Sequence, residues 1–233
     1  MYRDIYYKLT SYLSFRFRSN FKKIFFNYVA SNNNDKKLEK YLNYENGYFV
    51  ELGANDGINQ SNTFYFEKKK NWSGILIEPY KINYLECKKN RSNKNKYFCA
   101  ACVPKDYKKK KLKLFYANLL TTSDNNLKSM NKIKSNRIHV DRKKNPHYFY
   151  ARTLTLDNIF KISKSPKIID LLSLDVEGSE LNVLKGINFN KYKFKYMLIE
   201  CNEYKKIVNF LKTKNYFIEQ HFGIHDYLFK FKE

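Results

Sequence analysis

Glycine, proline and tryptophan are scarce in this chain, at 7, 4 and 1 among 233 residues. With 43% apolar and 29% charged residues, the composition excludes a fibrous or a disordered protein. The length suits one domain with a sizeable core and a small extension. No apolar stretch approaches the ~20 residues that a membrane span needs. The N-terminus has no continuous apolar core followed by a small-residue cleavage site, so no secretory signal is read there. Both absences favour a cytoplasmic protein. Cysteine is sparse too: Cys87, Cys99, Cys102 and Cys201 do not look like a disulfide framework for a chain this long. Cys99 and Cys102 form a C-x-x-C pair, but a zinc knuckle needs a second pair or well-spaced histidines. The pair lies inside the apolar run Tyr97–Val103, which reads as a strand, and core packing is its expected role.

Acidic residues are few as well. Against 45 Lys and Arg there are 22 Asp and Glu, a formal net charge of +23. Such a charge permits nucleic acid, an anionic membrane surface or an acidic glycan as a partner. The lysines spread over most helices and loops, as biased base composition would also produce. The charge therefore bounds the partners without choosing one.

Residues 1–30 interleave aromatic side chains (Tyr6, Tyr7, Phe15, Phe17, Phe21, Phe25) with Arg16, Arg18, Lys22 and Lys23. A basic, aromatic amphipathic helix can lie in a membrane interface, or it can pack on the domain as an arm. Residues 1–46 are read as this arm and residues 47–233 as the domain. From Tyr48 onward strands and helices alternate: strands at Tyr48–Leu52, Gly74–Ile77, Tyr97–Val103, Ile168–Asp175 and Tyr196–Glu200, with helices at Thr63–Lys70, Lys81–Asn90, Glu180–Lys185 (closed by Gly186) and Lys205–Lys214. Lys111–Tyr116 reads as an edge strand, and Tyr216–His221 with Tyr227–Phe231 as an antiparallel hairpin. The pattern predicts an α/β fold with a mainly parallel sheet covered on both faces. Leu119–Arg152 is long, polar and weakly periodic, and reads as an insertion or lid that sets specificity.

Three segments carry the chemistry. Phe49-Val50-Glu51-Leu52-Gly53-Ala54-Asn55-Asp56-Gly57 is a buried strand that ends in a carboxylate and a glycine-bearing turn. Ile75-Leu76-Ile77-Glu78-Pro79 is a second buried strand ending in a carboxylate, at about the 20-residue spacing used to hold a ribose diol. A dinucleotide site would need G-x-G-x-x-G beneath a pyrophosphate. Here Glu51 stands beside a G-x-x-x-G turn and Asp56 inside it. Two carboxylates would repel a pyrophosphate but suit a cationic sulfonium and an ammonium group, and so S-adenosylmethionine rather than NAD. The third segment runs from Leu171 to Gly186, and it delivers Asp175 and Glu177 to a strand end. Glu180 suits the first turn of a helix.

Together these segments resemble the FkbM family of methyltransferases. The resemblance rests on Glu51 to Gly57, on Glu78-Pro79, on the D-V-E-G-x-E run from Asp175 to Gly186, and on Thr155-Leu156-Asp157. It covers the chain from about Tyr48 to the C-terminus. It implies a Rossmann-like class I methyltransferase sheet. Glu51, Gly53, Ala54, Asn55, Asp56 and Gly57 would surround the methionine part of the cofactor. Glu78 and Pro79 would meet the ribose, with Ala100 and Ala101 near the adenine. It also implies O-methylation of a sugar, glycan or small-metabolite hydroxyl. The first acidic position, often Asp in the family, is Glu51 here.

Methyl transfer to an alcohol needs an aligned oxygen and a group that takes its proton. Asp175 and Glu177 are the candidates, with Glu200 third and His225, His139 and His147 behind. Clustered carboxylates would also accept Mg²⁺. Two other readings compete. Nucleic-acid methylation would be expected to use an N-P-P-Y-type strand end, which the chain lacks. A non-catalytic cofactor-binding protein would tend to have lost Glu51, Glu78 and Asp175.

Overall fold

The computed structural model describes residues 27–117, 121–123 and 147–232. The first 26 residues of the expected arm lie outside these, as do His139 and most of the expected insertion. Described helices are α1 (Asn34–Glu39), α2 (Phe64–Lys70), α3 (Lys81–Asn90), α4 (Leu156–Ser163), α5 (Glu180–Leu184) and α6 (Tyr204–Lys212). Strands are β1 (Tyr48–Leu52), β2 (Ser73–Ile77), β3 (Lys96–Phe98), β4 (Ala101–Cys102), β5 (Lys111–Tyr116), β6 (Thr122–Ser123), β7 (His147–Leu154), β8 (Ile168–Leu174), β9 (Lys193–Glu200), β10 (Tyr216–His221) and β11 (Asp226–Phe231).

Seven strands form one sheet in the order β10-β11-β9-β8-β1-β2-β3. β1, β2, β3, β8 and β9 pair in parallel, whereas β11 runs antiparallel to both β9 and β10. Side chains alternate across a strand, and the core divides accordingly. Val50, Leu52, Ile75, Ile77, Leu172 and Leu174 face one apolar layer, which holds α4, α5 and α6. Phe49, Leu76, Leu171 and Leu198 face the other, with α1, α2 and α3 residues. Burying both faces explains why these strands read as continuous apolar runs.

Four sequence expectations change. The run Tyr97–Val103 is not one strand: β3 ends at Phe98, and Ala101–Cys102 joins a second sheet, ordered β4-β7-β5-β6. The insertion Leu119–Arg152 ends in structure, since His147–Leu154 pairs antiparallel with Lys111–Tyr116. Residue 46 is not a packing boundary either. Val29 and Ala30 are buried, Val29 against Ile58 and Phe64, while Leu38 and Leu42 enter the main core. Asp35 Oδ2 accepts the N–H groups of Val29 and Ala30, at 2.6 and 3.0 Å, and so ties the incoming chain to α1. Gly186 does not close α5 by a left-handed turn. A side chain there would meet the carbonyl oxygen of Val103 at 2.5 Å, so close packing demands the glycine. A helix escaped the sequence reading: α4 buries Leu156, Ile159 and Phe160, and Thr155 caps it by accepting Asn158 N–H at 3.1 Å.

Candidate active site

The strand order reverses between β1 and β8: β1, β2 and β3 step one way across the sheet, β8 and β9 the other. Such a switch point opens a crevice at the carboxyl ends of the strands. A concave space lies there, about 970 Å³ including its open mouth. Gly53, Asn55, Glu78 and Pro79 line one part, and Ala100, Ala101 and Cys102 continue it. Ser173, Asp175, Val176 and Glu177 form the part beyond β8. Leu112, Leu114, Thr121 and Thr122 of the second sheet close a further wall.

The loop after β1 is locked by its own backbone. Gly53 N–H and Ala54 N–H both donate to the Ile77 carbonyl at 3.1 Å. Gly53 adopts φ +75°, and a Cβ there would lie 2.0 Å from the Asp175 carbonyl oxygen. Only glycine lets the ends of β1 and β8 approach this closely. Asn55 is also left-handed, at φ 48°. Its amide is 5% exposed, and neither its nitrogen nor its oxygen has a partner. Buried amides are ordinarily satisfied, so this orphan pair in the pocket wall marks where a ligand's polar groups belong. Asn62 Oδ1 is likewise unpartnered, while its Nδ2 donates to Ser173 Oγ at 2.9 Å.

Glu78 follows β2 directly. Its oxygens accept Asn55 N–H and Tyr80 N–H, each at 2.9 Å. Burial pushes its pKa up to about 7, against the pull of those two N–H groups. Each oxygen keeps one lone-pair direction, which fits a vicinal diol.

The carboxylates of the first segment behave otherwise than expected. Glu51 shares the strand parity of Phe49 and points toward α2 and α3. Its Oε2 accepts Ser61 Oγ at 2.9 Å, Thr63 Oγ1 at 2.6 Å and Arg91 Nη1 at 3.4 Å, and Oε1 accepts Asn62 N–H at 2.9 Å. Glu51 lines the pocket, yet most of its acceptor capacity is committed to holding the 58–63 loop. Asp56 takes no part in the pocket lining. It closes a turn by accepting Ile58 N–H, Asn59 N–H and Asn59 Nδ2 at 3.0, 2.8 and 2.6 Å. Ala54 and Gly57 also lie off the lining. Gly57 packs against Arg91 Cγ and Cys87 Sγ, where a Cβ would come within 2.8 and 3.0 Å. Asp56 is therefore not placed to repel a pyrophosphate from the pocket.

Arg91 was invisible as a site-building residue, because nothing local distinguishes it. It is buried, donates to Glu67 at 2.9 Å and to Gly57 O at 3.0 Å, and reaches Ser61 and Thr63. It thus cements the 57–63 loop to α2 and α3.

Beyond β8, Asp175, Glu177 and Glu200 offer oxygens that all lie within 4.8 Å of one another. Glu177 at φ 51° and Gly178 at φ 95° make a left-handed turn that carries Glu177 toward the cluster. Thr122 Oγ1 ties the second sheet to that turn by donating to Glu177 O at 2.9 Å. Asp175 lines the pocket and is exposed on its open side. Its pKa stands well above the ordinary carboxylate range, through burial first and then the charges of Glu200, Glu177 and Glu180. Neighbouring carboxylates at this range cannot all ionise freely. Glu180 turns away from the pocket: its Oε1 accepts Gly178 N–H at 2.7 Å, and burial raises it to about 7.

The remaining expectations sort themselves by position. His225 occupies an exposed turn and offers its carbonyl to Cys201 N–H at 2.7 Å. His147 begins β7 beside Tyr116 and Tyr80. Cys99 and Cys102 are free thiols, and burial pushes Cys102 up to about 12. Asn59, Gln60, Asn62, Ser173 and the threonines of the second sheet line the pocket without having been foreseen.

A doubly faced parallel sheet with polar groups converging at its carboxyl edge defines an α/β ligand-binding enzyme framework. Within it, residues 51–231 match the methyltransferase FkbM domain, and the chain belongs to that family of methyltransferases. No curated protein matches the chain significantly.

Proposed function

We propose that the chain is an S-adenosylmethionine-dependent, class I methyltransferase that O-methylates a hydroxyl of a sugar, glycan or small metabolite. The strand order supports this reading: from β3 it follows the doubly wound Rossmann sequence, with β11 inserted antiparallel. The observation that carries it is the unpartnered Asn55 amide beside the diol-facing carboxylate of Glu78 in one pocket wall. The donor set fits the cofactor: Glu78 for the ribose hydroxyls, Asn55 and Asn62 for the amino-acid end, and Ala100 and Ala101 for a flat base. When bound, S-adenosylmethionine supplies an electrophilic methyl group.

The chain's own contribution lies at Asp175. A carboxylate with a raised pKa is a stronger base than an ordinary one, so Asp175 takes the acceptor hydroxyl's proton while Glu177 orients that hydroxyl. Among the described residues, those that line the pocket include no aromatic side chain. That disfavours a nucleobase acceptor, which would need a ring to stack on. The three clustered carboxylates are also spaced for a divalent cation with oxygen ligands, and titration with Mg²⁺ by calorimetry separates the two arrangements. Titration with S-adenosylhomocysteine tests the proposal: micromolar binding that Asn55→Ala weakens supports it, and absence of binding by the wild-type chain overturns it.

A further inference from the structure

β1 and β8 lie side by side with Glu51 opposite Ser173, so the two side chains point to one face of the sheet. The 58–63 loop packs on this face, and both residues grip it at Asn62. Glu51 Oε1 accepts the Asn62 backbone N–H at 2.9 Å, and Ser173 Oγ accepts its Nδ2 at 2.9 Å. Ser173 is 1% exposed, so its hydroxyl is a fixed anchor rather than a solvated group. One end of the Asn62 amide is thereby committed to the sheet. The other end, Oδ1, is buried without a partner, and Asn62 lines the pocket.

A carbonyl oxygen can only accept, so a ligand atom that faces Oδ1 must donate. The surrounding charge narrows which donor it is. Among the described residues, those that line the pocket include the carboxylates of Glu51, Glu78, Asp175 and Glu177 and no lysine, arginine or histidine. Arg91 meets Glu51 from outside the lining. A chain with a net charge of +23 thus builds an acidic pocket. Such a pocket favours a cationic donor over a neutral one and opposes an anion at the same place. S-adenosylmethionine offers one cationic N–H donor, the ammonium of its amino-acid end, because its sulfonium has no proton to give.

We propose that Asn62 Oδ1 accepts the cofactor's ammonium group and that Ser173 is the positioning residue that holds the amide in this orientation. Together they make the site selective for a cofactor that carries an α-amino group. This role rests on the S-adenosylmethionine reading above, and its test measures binding without turnover.

Calorimetry on the full chain compares three ligands. They are S-adenosylhomocysteine, its deaminated analogue with hydrogen in place of the amino group, and methylthioadenosine, which lacks the amino-acid end. Wild type should prefer S-adenosylhomocysteine to the deaminated analogue by about tenfold or more. Ser173→Ala releases the amide and should shrink that preference by about threefold or more. Asn62→Asp keeps an acceptor in place and adds a charge that attracts the ammonium, so it should bind S-adenosylhomocysteine as tightly as wild type or tighter. Methylthioadenosine should stay within about twofold of wild type in both variants. A merely structural role of Ser173 would weaken all three ligands alike and leave the preference unchanged.

A wild-type preference near unity, or one that Ser173→Ala does not shrink, would overturn the proposal. So would an Asn62→Asp loss of S-adenosylhomocysteine beyond about threefold with methylthioadenosine unchanged, since the amide would then face the cofactor's carboxylate. Where Asn62→Asp no longer binds methylthioadenosine, Ser173→Ala alone decides. Failure of the wild type to bind any of the three ligands counts against the S-adenosylmethionine reading instead.

Discussion

Glu78→Gln isolates the charge at the end of β2. The wild-type carboxyl is 6% exposed, and burial lifts its pKa from 4.5 to about 7. At ~1.36 kcal/mol per pH unit, that rise corresponds to at most about 3.4 kcal/mol between the protonation states. A raised pKa in the folded state means that the stabilising contribution is complete below about pH 4.5 and is lost as pH climbs through 7. In the ligand-free protein the glutamine removes this loss. It should therefore melt higher than wild type at pH 8.5, by as much as roughly 5–10 °C. A mismatch between the new amide and the N–H of Asn55 or Tyr80 would subtract about 1 kcal/mol. Cofactor binding should move the opposite way. Losing charge-assisted bonds to the ribose costs about 1.5–3 kcal/mol, or roughly 10- to 150-fold in Kd. Wild-type affinity should also fall by about tenfold per pH unit below 7, as the carboxyl protonates, and the variant should show no such slope. S-adenosylhomocysteine titrations and melting curves at pH 5.5, 7 and 8.5 measure both effects. A variant that binds as tightly as wild type, with the same pH slope, refutes the assignment of Glu78 to the ribose.

Asp175→Asn relieves the repulsion from Glu200 and Glu177, so it should melt at or above the wild-type temperature while turnover falls by about 10²- to 10⁴-fold; wild-type turnover in a methyl-transfer assay would remove Asp175 from the chemistry. Arg91→Met leaves buried Glu51 and half-buried Glu67 without their cation, and a destabilisation of about 3–5 kcal/mol in urea unfolding is expected; a change below about 1 kcal/mol would show that the network contributes little. Starting the chain at Asn27 should preserve melting and cofactor binding. Starting it at Asn34 removes buried Val29 and Ala30 and the bridge from Ala30 to Gln60, so melting should drop by roughly 5–15 °C. Equal melting of the two truncations would mean that the 27–33 segment adds nothing to the domain.

Much of the pocket could be read from the chain because its parts are local. A buried strand, a carboxylate and a glycine turn occupy nine consecutive residues, and the second strand end follows at a spacing that a single helix sets. Gly53, Glu78, Ala100, Asp175 and Glu177 accordingly reach the lining. Asp56 did not, because its side chain found two N–H groups within three residues and closed a turn instead. Helix α4 was passed over although Leu156, Ile159 and Phe160 recur at helical spacing after a threonine cap.

What the sequence alone determined, then, is the set of strand ends and the carboxylates delivered to them, since periodicity and turn chemistry act over a few residues. Which of those carboxylates face a ligand was decided only in three dimensions. Glu51 is turned toward Arg91 by strand parity and by a guanidinium 40 residues away. Glu200 joins Asp175 because β9 happens to lie beside β8, and Leu112 and Leu114 wall the pocket because β5 pairs with β7 across the segment between them. Partners of a buried charge are set by non-local pairing, and the energy of that charge depends on its partners. For that physical reason the tertiary structure, and not the chain's local pattern, separated the groups that hold the loop from those that line the pocket.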